Sequence, residues 1–153
     1  MHEITIRKHV SAPVEKVFEM ATDFPNAPRF VKGIVKMEML TQGPVGIGTR
    51  FRETRKVFNR EATEEMEVTG FEAPQRYSVG CESHGCRYHT EFSFASDSGG
   101  TRIDMTFRAT PVTLGAKVMS VLMRPMMKAV MKECAKDLDD LKAAAEGGPA
   151  QSM

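Results

Sequence analysis

Net charge is almost absent from this 153-residue chain: lysine plus arginine number 21 against 20 acidic residues. No broad field is available to hold DNA, RNA or an anionic membrane, so nucleic acid is not an expected partner. Long apolar runs are missing too, which argues against integral membrane association. The start, Met1-His2-Glu3-Ile4, has neither the basic flank nor the apolar stretch of a secretory signal. Cysteine is scarce: three residues at irregular spacing read as reduced thiols of a cytoplasmic protein rather than as a disulfide framework. No Ser-His-Asp arrangement, Walker loop or dinucleotide fingerprint occurs, and no cofactor is expected. Tryptophan is absent while methionine reaches 12. Flexible, polarisable side chains in that number suit a loosely specified core or a surface that adapts to ligands of varied shape.

What is present is a strand pattern followed by a helix. Ile4, Ile6 and Val10 alternate with Thr5, Arg7 and His9, the period of a half-buried strand over Glu3 to Val10. Ser11-Ala12-Pro13 offers an N-cap serine and an early proline before Val14, Val17, Phe18 and Ala21 at helical spacing. That helix should end near Asp23. Two prolines in Phe24-Pro25-Asn26-Ala27-Pro28 permit a turn and one further helical turn through Val31. From Gly33 the punctuation at Gly43-Pro44, Gly46-Ile47-Gly48, Asn59-Arg60, Ala73-Pro74, Ser83-His84-Gly85 and Ser98-Gly99-Gly100 predicts an antiparallel meander. Its strands are Ile34 to Leu40, Thr49 to Phe58, Glu61 to Phe71, Arg76 to Glu82, Arg87 to Ala95 and Thr101 to Thr110. Beyond Pro111, Leu114 to Ala145 reads as one helix with Val118, Leu122, Met126, Val130, Cys134, Leu138 and Leu141 on a stripe and a kink at Pro125. Residues 1–145 form the expected domain, with 146–153 as a frayed tail.

Hairpin registers decide which side chains share a face. A turn at Ser98-Gly99 sets Phe94, Phe92, Thr90 and Tyr88 against Ile103, Met105, Phe107 and Ala109. A turn at Ser83-His84 sets Tyr88 against Val79 and Cys86 against Cys81, with Tyr77 beside Thr90. Met66, Val68 and Gly70 continue that face, and an Asn59-Arg60 turn aligns Phe51, Glu53, Arg55 and Val57 with them. The other face is charged, carrying Arg50, Arg52, Lys56, Glu65, Glu67, Glu91, Arg102, Asp104 and Arg108. Such a sheet is covered on one side only, and the C-terminal helix is the cover. A straight helix over a twisted, concave sheet leaves a hollow, lined by Phe51, Glu53, Arg55, Met66, Val68, Tyr77, Val79, Cys81, Tyr88, Thr90, Phe92, Met105 and Phe107. Val118, Leu122 and Met126 close it from the helix.

The chain resembles the START-like superfamily, also called Bet v 1-like or SRPBCC, which includes polyketide cyclases, dehydrases and lipid-transfer proteins. The resemblance rests on Val10-Ser11-Ala12-Pro13 with Val17-Phe18, on Asp23 and Pro28-Arg29-Phe30, and on Gly46-Ile47-Gly48-Thr49. Gly100-Thr101-Arg102 and the closing Leu138 and Leu141-Lys142 complete it. It implies an α+β helix-grip fold: seven curved antiparallel strands around a long C-terminal helix, with two short helices between strands 1 and 2. It also implies a cavity for a small hydrophobic or amphipathic molecule, while leaving the chemistry open, because one scaffold hosts carriers and enzymes.

Glu53 and Arg55, two apart on one strand, project an acid and a base into the hollow; the alternative is an internal ion pair that orients the sheet. Together with Tyr77 and Tyr88 they are the candidate catalytic groups for a cyclase or dehydratase, the tyrosines as donors to a ligand carbonyl. Cys81, His84, Cys86 and His89 are not expected to hold zinc, because strand parity sends His89 to the face opposite Cys86. Opposed Cys81 and Cys86 would form a disulfide only under oxidation. Met119, Met123, Met126, Met127 and Met131 around Pro125 mark the expected gate over the cavity mouth.

Overall fold

The computed structural model describes residues 2–57, 59–83, 85–115 and 124–147. Seven strands, β1 (His2–Val10), β2 (Ile34–Met39), β3 (Arg50–Val57), β4 (Arg60–Glu72), β5 (Arg76–Ser83), β6 (Cys86–Asp97) and β7 (Gly100–Pro111), form one curved sheet. Its order is β1-β7-β6-β5-β4-β3-β2, every pair antiparallel. Helix α1 (Val14–Ala21) and a 3-10 helix (Phe24–Arg29) join β1 to β2, and α2 (Arg124–Ala145) closes the concave side. This is the predicted α+β helix-grip architecture.

Turn chemistry explains where the predicted registers hold and where they slip. At β6–β7 the pairs Phe94–Ile103, Phe92–Met105, Thr90–Phe107 and Tyr88–Ala109 form as predicted. Ser98 (φ 50°) and Gly99 (φ 83°) take the left-handed conformation that a two-residue hairpin requires. At β5–β6 the turn sits one residue later than predicted, because Gly85 (φ 77°) supplies the left-handed position. Cys81 therefore faces Tyr88, Val79 faces Thr90, Tyr77 faces Phe92 and Ser83 faces Cys86. The two-residue slip preserves every face but removes the expected opposition of Cys81 and Cys86. At β3–β4, Val57 pairs with Arg60 and Asn59 takes φ 62°, moving that turn one residue earlier than predicted.

One parity prediction fails. A bulge between Val68 and Gly70 turns Gly70 toward Ser78 and brings Phe71 opposite Tyr77, onto the concave face that Gly70 was expected to share. A Cβ on Gly70 would lie 2.7 Å from Ser78 Oγ, so a larger residue there would force the Ser78 hydroxyl to turn away. Ser11 is likewise not a helix cap: Pro13 occupies that position with no side-chain cap, and the Ser11 N–H donates to Glu146 at 2.7 Å.

The core gathers under α1 and the C-terminal half of α2. Val10, Val17, Val68, Ile103 and Leu138 are at most 2% exposed. Phe18 meets Phe71, Tyr77 and Phe94 edge-on, with ring centroids 5.4, 6.0 and 5.3 Å away. Fully buried Thr101 donates to the Ala12 carbonyl at 2.7 Å. Lys142 Nζ donates to the His9 carbonyl and to Glu146, each at 2.8 Å, pinning the end of α2 to β1. The outer face carries exposed ion pairs such as Arg7–Asp104 and Arg108–Glu3, both at 2.6 Å. Each contributes little to stability in water.

Candidate functional site

Between the sheet and α2 lies a cavity of two lobes. The smaller, about 130 Å³, runs under α1 and the 3-10 helix, and its walls include Phe24, Phe30, Phe51, Tyr77, Leu138 and Leu141. The larger, about 320 Å³, lies between β6, β7 and α2 against Thr90, Met105, Phe107, Val130 and Cys134. Glu53, Arg55, Met66, Val79, Phe92 and Asp137 line both lobes, so the two meet at a charged waist.

The waist is built from adjacent strand positions and one helix residue. Glu53 and Arg55 sit two apart on β3 and project to the same side. Glu53 Oε1 accepts from Arg55 Nη2 at 2.7 Å and from Arg55 Nε at 3.2 Å. Across the cavity, Asp137 takes the other edge of the guanidinium, with Oδ1 3.0 Å from Nη1 and Oδ2 2.9 Å from Nη2. This fork geometry locks α2 to β3. A Cβ on Gly33 would lie 3.0 Å from Arg55 Nη1, so that glycine leaves room for the guanidinium's end.

Burial and charge set the protonation of this cluster. Burial lowers the Arg55 pKa, but Asp137 and Glu53 outweigh it and hold the guanidinium firmly charged. Asp137 is pushed from 3.8 up to about 6, chiefly by burial, which outweighs the pull of Arg55; Glu53 and Glu133 add repulsion. Tyr77 is raised above the ordinary phenol range by burial and then by Glu53 and Asp137. Burial also lifts the thiols, Cys134 to about 12 and Cys81 to about 11, so neither is a nucleophile near neutral pH.

The Asp137 shift has a definite consequence for stability. A carboxyl whose folded pKa exceeds its unfolded value stabilises the fold when protonated, and that contribution is lost as pH rises through about 6. Wild-type stability relative to Asp137→Asn is therefore expected to fall by about 1–3 kcal/mol between pH 4 and pH 7.5. Urea unfolding of both proteins at the two pH values measures it. A pH-independent difference would mean that Asp137 titrates normally.

Of the predicted lining, Phe51, Glu53, Arg55, Met66, Tyr77, Val79, Thr90, Phe92, Met105 and Phe107 face one lobe or both. Val68 does not: it is fully buried in the core. Cys81 and Tyr88 line neither lobe. Cys81 Sγ approaches Glu64 Oε2 at 3.6 Å, and Tyr88 stacks on Phe107 with centroids 5.9 Å apart. Burial and Cys86 raise Tyr88 to about 12. Of the candidate catalytic groups, Glu53, Arg55 and Tyr77 converge and Tyr88 stands apart. Val118, Leu122, Met119, Met123 and His84, and the side chains of Met126 and Met127, lie outside the described residues, as does the expected kink at Pro125; of the expected gate only Met131 is described, exposed and lining neither lobe. Among the described residues no group of three or more His, Cys, Asp or Glu side chains is arranged to hold a metal, and no helix is long and apolar enough to cross a membrane.

Sequence reasoning missed Asp137 and the whole contribution of the 3-10 helix. A signal for Asp137 existed: it lies three residues after Cys134 and four before Leu141, on the edge of the apolar stripe. The inward Arg55, offered one carboxylate by its own strand, also required a second acceptor.

A helix gripped by a curved seven-stranded antiparallel sheet, with a cavity between them, defines a START-like, Bet v 1-like protein. A family model described as polyketide cyclase / dehydrase and lipid transport matches residues 1–146, and the chain belongs to this family. Solved structures of similar fold include the Zhui aromatase/cyclase from a Streptomyces species, 16% identical, with a TM-score of 0.81 over 95% of this chain and 94% of that one. TTHA0849 from Thermus thermophilus is 18% identical, with a TM-score of 0.77 over 94% and 97%. The di-domain ARO/CYC BexL is 14% identical with a TM-score of 0.77, matching 97% of this chain and 51% of its own. At such identities the likeness establishes the fold alone. No curated protein sequence matches the chain.

Proposed function

We propose that the protein binds a small hydrophobic or amphipathic molecule in the two-lobed cavity, with the ligand's polar end at the waist. One observation carries this reading: apolar walls on both sides converge on a partly buried Glu53–Arg55–Asp137 cluster. Such a combination of apolar surface and a few convergent polar groups is the usual composition of a small-molecule site. The reading requires no cofactor or metal, and assigns the protein to the cytoplasm, where its three free cysteines stay reduced. Residues 1–145 act as the binding unit, and Glu146, expected in the frayed tail, instead holds the end of α2 to Ser11.

A cyclase- or dehydratase-type activity is favoured by a different observation. Asp137, with a pKa of about 6 beside the charged Arg55, exchanges a proton near neutral pH, as a general acid or base must. Mass spectrometry under native conditions separates the two: a carrier emerges with an unaltered apolar molecule bound, an enzyme empty or holding a dehydrated product. Val79 lines both lobes, so Val79→Trp fills the void where they meet. It is expected to weaken binding of the neutral dye Nile red at least tenfold while the far-ultraviolet circular dichroism is unchanged. Unaltered dye binding in that variant would place the ligand elsewhere.

A further inference from the structure

We propose that the cavity is built for a neutral, hydroxyl-bearing ligand, a phenol or an alcohol, and discriminates against carboxylates; this rests on the cavity-binding reading above. Among the described residues Arg55 is the only basic side chain in the lining of the two lobes, and three of its five N–H groups donate to Glu53 and Asp137, with Nη2 also 2.9 Å from Asp137 Oδ2. An incoming carboxylate would have to compete with both for the guanidinium. It would also meet a surplus of negative charge: Glu53, Asp137 and Glu133 line the lobes against one guanidinium, with Lys136 3.9 Å from Glu133. Glu64, directly across from Glu53 on β4, adds another carboxylate along the same face.

The groups left open point to a hydroxyl. Glu53 Oε2 and the Tyr77 hydroxyl make no hydrogen bond to a described residue, although Glu53 is 8% and Tyr77 5% exposed. Both residues line the smaller lobe. One is a charged acceptor, the other a donor and acceptor. A ligand hydroxyl satisfies both, donating to the carboxylate and accepting from the phenol; a carboxylate satisfies only the second. Phe51, Tyr77 and Phe92 offer ring faces for a flat apolar body.

The test compares 2-naphthol, 2-methoxynaphthalene and 2-naphthoate, which share one ring system and differ in the group presented. The chain contains no tryptophan, so naphthyl fluorescence is read at pH 7.5 against a weak protein background. 2-Naphthol is expected to bind at least tenfold more tightly than 2-naphthoate and several-fold more tightly than the methyl ether. Glu53→Gln should narrow the gap between naphthol and naphthoate about tenfold. Asp137→Asn provides a second, independent neutralisation of the waist. Equal affinity for 2-naphthoate and 2-naphthol, or a gap unchanged in both variants, overturns the inference. If Nile red binds while naphthol has no advantage, the inference fails alone. If neither Nile red nor any naphthalene binds, the cavity-binding reading fails and takes the inference with it.

Discussion

Arg55→Met is expected to destabilise the domain by about 3 kcal/mol, the low end of the cost of breaking a buried charge pair. Glu53 and Asp137, with side chains 10% and 27% exposed, are held near each other only because the guanidinium lies between them. Methionine fills most of the arginine's volume, so the loss measured is electrostatic rather than a cavity. Two carboxylates would then face each other in a poorly solvated space, and Asp137 would have lost the partner that opposes its desolvation. Chemical denaturation at pH 7.5 reads the effect. Adding Glu53→Gln and Asp137→Asn to Arg55→Met should recover most of the loss, because removing a whole buried ionic cluster costs far less than removing one member. A triple variant as unstable as Arg55→Met would show that packing, not charge, holds α2 to β3 at this point.

The cluster also shows what sequence makes legible and what it withholds. Strand periodicity set the parity of Glu53 and Arg55, and parity survived errors of register because a two-residue slip leaves each side chain on its face. That is why ten of the predicted lining residues face the lobes although the β5–β6 pairing was misplaced. Parity failed where a bulge adds one residue, at Thr69-Gly70, and Phe71 was lost from the predicted face there. The glycine in mid-strand was the visible cue. Depth along the strands was not legible either: Val68 and Tyr88 share the concave face with Val79, yet one lies within the core and the other lines neither lobe. Alternation fixes a side, while the position of α1 and the 3-10 helix, which plug one end of the hollow, decides which inward residues meet empty space. Asp137 escaped for a related reason, since a helical stripe marks the buried centre of a face and the acid sits on its margin, where only the facing strand explains it.

Phe18→Ala tests whether that plug shapes the cavity, and it is expected to cost about 3–5 kcal/mol. Phe18 is 4% exposed and projects from α1 onto the sheet, where it packs edge-on against Phe71, Tyr77 and Phe94. Tyr77 in turn stacks on Phe92 at 4.7 Å, with an interplanar angle of 13°, and both rings line the smaller lobe. Truncation removes the support behind Tyr77, leaving a void that rigid strand backbones cannot collapse. The cavity is thereby extended toward α1, and the phenol that faces the lobe loses the contact that orients it. Urea unfolding should show the full loss, and 2-naphthol affinity should fall several-fold in protein that remains folded. A loss below about 1 kcal/mol would mean that α1 reseats itself over the gap, and that the end wall of the cavity is adaptable rather than fixed by this ring.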